Sequence, residues 1–224
     1  MQQLIPEPLV NSLLNDQVIL FLGAGASLLA VSDKGLGPPS AEELRNMLCD
    51  KFLAGELKDR PLAEIADYVV NEYDQQTLQQ YIRDLFIQFK PAEFHKLIPL
   101  FPWNTIVTTN YDLVVERAYE GSTKKIREIE VFVKNGDKID LKLRHGHDRI
   151  AYIKLHGCIN HASDMSIPLI LTNEQLSKFR SNRDRLFERL KDLGTQFSIV
   201  FCGYSLADSN IRDILFDLTD LGIE

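Results

Sequence analysis

The sequence predicts an α/β fold: a Rossmann-like, doubly wound, mainly parallel sheet with a helical insertion. Two observations predict it. Four short runs, 18–22, 105–108, 151–155 and 197–202, are rich in apolar and β-branched residues, as strands covered by helices on both faces require. Segments of helical periodicity alternate with them, the pattern of right-handed parallel crossovers. A third observation concerns chemistry. Glycines and unusual polar residues cluster just after those strands, where open α/β sheets bind their ligands.

Residues 6–15, with Pro6 and Pro8 ahead of Leu9, Val10, Leu13 and Leu14, read as a short helix leading into the first strand. That strand runs into Gly23-Ala24-Gly25-Ala26-Ser27. A glycine pair lets the backbone turn sharply and approach a ligand, and such turns offer N–H groups to a phosphate, the helix dipole assisting. The third glycine of the dinucleotide fingerprint is missing, since position 28 is leucine, and no Lys-Ser/Thr pair makes a Walker loop. A tight turn without a ligand would have the same sequence. Residues 32–39, with two glycines and two prolines, form a loop. Ser40 then starts a helix, Glu43 reaching back from the third position, and Leu44, Leu48 and Phe52 keep helical spacing. Pro61 opens a second helix with Leu62, Ile65, Ala66 and Val69 on one face, and a third covers 77–89 through Leu78, Ile82, Leu85 and Phe86. Pro91 and Pro99 punctuate the next part, 94–100. Together these make a helical insertion or lid over about 41–100, too long for a simple crossover.

The second strand, 105–108, leads into Thr109-Asn110-Tyr111-Asp112 and a helix over 113–119. Strands at 128–133 and 138–143 are expected to join through the Asn135-Gly136 turn. Strand 151–155 ends in His156-Gly157; 167–171 is short and apolar, and Thr172-Asn173-Glu174 caps a helix. A charged amphipathic helix covers 182–193, strand 197–202 ends in Gly203-Tyr204-Ser205, and a helix over 208–218 follows.

Composition bounds the function. The 224 residues are enough for one large domain with a proper core, read here as 1–224. The net charge of −7 and the lack of a basic run exclude a sequence-independent nucleic-acid surface. Cys49, Cys158 and Cys202 are odd in number and widely spaced, which reads as buried free thiols in a reducing compartment. No secretory signal opens the chain and no apolar run is long enough to span a membrane. A cytoplasmic protein is expected.

The strand ends limit the chemistry. Asn110 offers both a donor and an acceptor, although a turn asparagine bonding its own backbone fits the position too. Asp112 is placed to cap the following helix. His156, at a strand end, is the histidine best placed for general-base work, the task to which an imidazole side chain is suited; a core histidine is the alternative. Ser205 would bond a phosphate or cap the last helix. His145 and His147 alternate on an expected strand and would share a metal, but no further Cys/His cluster supports one. No metal is expected. A Gly-x-Ser-x-Gly elbow is absent, and no carboxylate pair stands out at a strand end.

Gly23-Ala24-Gly25-Ala26-Ser27, Thr109-Asn110-Tyr111-Asp112, Lys154-Leu155-His156-Gly157 and Gly203-Tyr204-Ser205-Leu206, in this order, resemble the sirtuin superfamily. They are closer to its bacterial branch, the sirtuin-like domains of anti-phage defence proteins, than to the protein deacetylases. The resemblance runs from about 17 to 215 and implies NAD as substrate. It implies a cofactor-binding set of Gly23, Ala24, Gly25, Ala26, Ser27, Thr109, Asn110, Gly203, Tyr204 and Ser205, and a catalytic set of Asn110, His156 and Asp112. Two features of deacetylating sirtuins are missing: the zinc ribbon of paired Cys-x-x-Cys motifs, and the Pro-Asp-Phe-Arg loop, replaced by Gly37-Pro38-Pro39-Ser40. The implied activity is hydrolysis of the nicotinamide–ribose bond, depleting NAD in anti-phage defence. A deacylase or ADP-ribosyltransferase, and a non-catalytic NAD or ADP-ribose sensor, are the alternatives. The resemblance further implies a longer protein with a C-terminal sensor region, and a homo-oligomer or an activating partner.

Overall fold

The computed structural model describes residues 5–137, 139, 148–206 and 208–220. Its centre is one sheet of five parallel strands, β1 (Val18–Leu22), β2 (Thr105–Thr108), β3 (Glu128–Phe132), β4 (Arg149–Lys154) and β5 (Ser198–Cys202), in the order β3-β4-β2-β1-β5. The register sets Leu22 beside both Thr108 and Cys202, and Thr108 beside Lys154. The segments that follow β1, β2, β4 and β5 therefore leave the sheet at one level. The crevice beyond these carboxyl ends is where open α/β sheets bind ligands.

Alternation along β1 explains why every one of its residues is buried. Ile19 and Phe21 pack with α8 (Asp184–Gly194) and α9 (Ser209–Asp220) through Phe187, Leu190, Ile211 and Ile214. Leu20 and Leu22 face the other way, toward Ile98 and the Val115 and Tyr119 of α6 (Val114–Glu120). Helices thus cover both faces, as the apolar runs predict. β5 departs from full burial because it is an edge strand, exposed at both ends. Cys202 at its end is exposed for the same reason, whereas Cys49 and Cys158 are buried free thiols.

Short helices α1 (Glu7–Leu14) and α2 (Ala24–Ser27) flank β1. The insertion is built from α3 (Ala41–Phe52), α4 (Leu62–Glu72), α5 (Gln75–Phe86) and a 3-10 turn at His95–Leu100. Ser40 and Glu43 form the expected reciprocal cap: the Glu43 N–H donates to Ser40 Oγ at 3.2 Å, and the Ser40 N–H to Glu43 Oε2 at 2.8 Å. α5 starts earlier than its apolar spacing predicts, because Asp74 captures the Thr77 N–H at 2.6 Å and so sets the N-cap. It also ends at Phe86, three residues short of the expected end, as Lys90 turns away to bridge Val31. Leu48, Ile65, Val69, Leu78 and Ile82 share a core with Cys158, Ile159, Leu169 and Leu171. The insertion consequently packs on the loop that follows β4.

At Asn135-Gly136 the described residues do not take the expected two-residue hairpin turn. Asn135–Asp137 is a 3-10 turn, because Asp137 Oδ2 accepts the N–H groups of Val133 and Lys134 at 2.7 and 3.0 Å. β3 pairs in parallel with β4; the strand expected at 138–143 lies, apart from Ile139, outside the described residues, as do His145 and His147. After the apolar 167–171 stretch, Thr172 and Gln175 form a second reciprocal cap on α7 (Asn173–Ser177). No helix among the described residues is long and apolar enough to cross a membrane.

Leu48 is fully buried in the insertion core, so Leu48→Ala should cost about 2–5 kcal/mol, while Ser40→Ala should cost about 1 kcal/mol through its cap. Denaturant titration of both variants checks the ranking.

Candidate active site

The turn after β1 is fixed from three sides. Thr108 Oγ1 donates to Leu22 O and accepts the Asn110 N–H, both at 2.9 Å, which sets the path of the chain leaving β2. Asn110 then reaches from the end of β2 to the turn after β1. Its Nδ2 donates to Gly23 O at 2.8 Å and to Ser27 Oγ at 3.0 Å. Ser27 Oγ donates onward to Asp112 Oδ2 at 2.8 Å, and Asp112 Oδ1 accepts the Val114 N–H at 2.9 Å. Asp112 therefore does cap the helix start, and its second oxygen orients Ser27. With both amide protons used, Asn110 keeps Oδ1 as an acceptor for a ligand.

On the other side, Gly203 closes against the same turn. Its φ of +62° lies in the left-handed region, and a Cβ there would meet Ala26 N at 2.0 Å. The N–H of Gly25 donates to Gly203 O at 2.8 Å, that of Ala26 to Gly23 O at 2.9 Å and that of Gly23 to Cys202 O at 3.0 Å. These three amides, expected to face a phosphate, are bonded within the protein. The glycines here permit two backbones to touch. Tyr204 turns inward, its ring 4.8 Å from that of Phe21 and stacked on Phe201, and Ser205 is exposed.

Ala24, Ser27, Thr109, Asn110, Asp112 and His156 line one cavity of about 230 Å³, whose apolar wall includes Leu44, Leu62, Phe86 and Leu171. The sequence-predicted residues after β1, β2 and β4 are thus brought together, and α3, α4 and α5 of the insertion close the cavity. A larger open groove beside Phe52 and Tyr81 is lined by residues of the insertion alone and collects none of the strand-end groups. Among the described residues, no group of three or more His, Cys, Asp or Glu is placed to hold a metal.

His156 is nearly buried. Its carbonyl accepts the Ile170 N–H at 3.0 Å, and Ile170 O accepts the Tyr111 hydroxyl at 2.5 Å. Burial raises the Tyr111 phenol, so the donor stays protonated. Arg183, only 1% exposed, donates from Nη2 to Pro168 O at 2.6 Å; burial pulls it down to about 10, which leaves it charged at neutral pH. Lys154 is fully buried beneath Asp112, donating to the Asp112 carbonyl and pairing with Glu116 Oε1 at 2.7 Å. Burial alone would lower its pKa, but the facing Glu116 raises it, and the ammonium persists.

Three residues here had no signal in the sequence. Arg183 braces the loop behind His156, and Asp208 Oδ2 lies 3.1 Å from His156 Nε2. His95, 1% exposed, holds the first turn from below: Nδ1 accepts the Ala92 N–H at 2.9 Å, so Nε2 carries the proton and donates to Ala26 O at 2.7 Å. Burial lowers the His95 pKa, outweighing the carbonyl contact. Only the tertiary packing reveals these three, since Pro168, His156 and Ala26 are not sequence neighbours of Arg183, Asp208 and His95.

A model of the SIR2-like domain matches residues 104–222. The NAD(+) hydrolase ThsA of Cytobacillus dafuensis is 28% identical over 217 residues, covering 96% of this chain and 40% of that protein. That of Bacillus cereus (strain MSX-D12) is 26% identical over 216 residues, 95% of this chain and 42% of its own. That of Enterococcus faecium is 29% identical over 208 residues, 89% and 39% respectively. The chain spans about two fifths of the length of these curated relatives.

Gly203→Ala should destabilise by at least about 1–3 kcal/mol from backbone strain alone, which is a Tm drop of about 2–4 °C for each kcal/mol in a chain of this size. His95 has the opposite requirement, a neutral ring. Its contribution is complete above the unfolded value of 6.5 and is lost as pH falls from there through the lower folded pKa. The Tm difference between the parent chain and His95→Gln should therefore shrink between about pH 7.5 and 5, as thermal melts across that range would show.

Proposed function

The chain belongs to the SIR2-like family, and we propose that it is an NAD+ glycohydrolase, cleaving the nicotinamide–ribose bond with water to give nicotinamide and ADP-ribose. The observation that carries this reading is the convergence of Asn110, Asp112 and His156 on one cavity at the carboxyl ends of β1, β2 and β4. The names of the relatives support the same substrate. The nicotinamide and its ribose occupy the cavity. Its volume of about 230 Å³ is below the roughly 300–1,000 Å³ of complete ligand sites, so the adenosine end extends outside. The diphosphate passes over the exposed Ala24 and Gly25, and the Gly203-Tyr204-Ser205 turn borders its path.

In the reaction the C1′–nitrogen bond breaks, nicotinamide leaves as a neutral molecule, and a water oxygen bonds to C1′. Asn110 Oδ1, the acceptor left free, orients a ribose hydroxyl or that water; Ser27 and Asp112 hold the carboxamide in place. His156 takes the proton that the water gives up. Holding the reactants in register is the main task, because the leaving group needs no protonation. The insertion over 41–100 acts as a lid that keeps bulk water from the cavity. In the cell the reaction depletes cytoplasmic NAD in anti-phage defence, within a homo-oligomer or under an activating partner.

Free nicotinamide, measured after incubating the chain with NAD, tests the proposal. His156→Ala and Asn110→Ala should each lower turnover by ~10²–10⁴-fold while the fold is kept. Full turnover in either variant overturns the assignment, and release that begins only when an acyl-lysine peptide is added identifies a deacylase instead.

A further inference from the structure

We propose that Asp208 is a positioning residue for His156: its carboxylate holds the imidazole through Nε2 and leaves Nδ1 as the nitrogen that accepts the water's proton. The inference rests on the glycohydrolase reading of the same site. His156 follows β4 and Asp208 precedes α9, so remote parts of the chain converge to place Oδ2 3.1 Å from Nε2, with side chains only 14% and 10% exposed. At that distance the two atoms do not meet in hydrogen-bond geometry, and neither has a hydrogen-bond partner elsewhere among the described residues. A buried carboxylate oxygen left alone is costly, and the imidazole N–H is the donor facing it. The alignment is loose in the free protein, as catalytic contacts often are before substrate binds. The other oxygen, Oδ1, accepts the Asn210 N–H at 2.9 Å and so fixes the direction of the carboxylate.

The chemistry follows from the tautomer. A neutral imidazole has one N–H and one lone pair, and a carboxylate against Nε2 puts the proton there. The lone pair at Nδ1 then receives the proton as the water oxygen bonds to C1′ and nicotinamide departs. Asp208 keeps its charge throughout and stabilises the imidazolium. Burial alone would raise the Asp208 pKa, but the contact with His156 and the N–H groups of Asn210 and Ile211 hold it below the usual carboxylate range. The rival role is structural, a cap for α9 through Oδ1 and nothing more.

Asp208→Asn separates the two roles, because asparagine caps a helix as well as aspartate does but carries no charge. In the full chain with NAD, Asp208→Asn should lower kcat by about 10–100-fold with KM little changed. Asp208→Asn combined with His156→Ala should be no slower than His156→Ala alone, since the two act as a unit. Nitrogen NMR of the His156 ring should find the proton on Nε2 in the parent chain and a mixed or reversed tautomer in Asp208→Asn. Parent-level kcat in Asp208→Asn, losses that multiply in the double variant, or a proton on Nδ1 in the parent ring would each overturn the proposal. No release of nicotinamide by the parent chain would sink the glycohydrolase reading instead, while the ring spectrum still reports on the Asp208 contact.

Discussion

The arrangement depends on the contact between the turn after β1 and the turns after β2 and β5. Asn110 spends both amide protons on Gly23 O and Ser27 Oγ, and Gly203 lies against Gly25 and Ala26 with no room for a side chain. The aligned register makes this possible, because it brings the strand ends to one level. A slip of one residue would reverse the facing of every side chain along a strand and separate these groups. Order at the site is thus inherited from the sheet.

Around that junction the protein buries an unusual set of polar groups and gives each a task. Lys154 and Glu116 lie under Asp112, His95 holds the backbone at Ala26, and Arg183 and Tyr111 grip the carbonyls of Pro168 and Ile170. Buried groups of this kind are costly unless bonded, so their presence favours one conformation of the loops over looser alternatives. Tyr111 and Asp112 line the cavity, whereas Lys154, Glu116, His95 and Arg183 are not among its lining residues and act on its walls from behind.

Much of the fold was legible in the sequence because the strands in it are short, apolar and separated by helices with clear caps. Ser40 with Glu43 and the buried run of β1 are local signals and read directly. The ends of α5 and the fate of Asn135-Gly136 were not legible, since Asp74 and Asp137 each capture amides in ways that periodicity does not encode. At the candidate site, Asn110, Asp112 and His156 were found as strand-end residues, and the structure draws them to one cavity. His95, Arg183 and Asp208 escaped notice because their partners are not their sequence neighbours and their types are common on any surface. The phosphate-facing amides were misread for a related reason: which N–H groups of a glycine turn stay free depends on the neighbouring loop.

The shared core of the insertion and the loop after β4 has an evolutionary corollary. Leu169 and Leu171 are covered by Leu48, Ile65 and Leu78, and Ile170 between them is bonded to the carbonyl of His156. The insertion is therefore no cassette to be swapped between homologous scaffolds. A lineage that reshapes its helices must also reshape the support of the histidine, and recruitment to a new substrate through this element would proceed by paired changes in both.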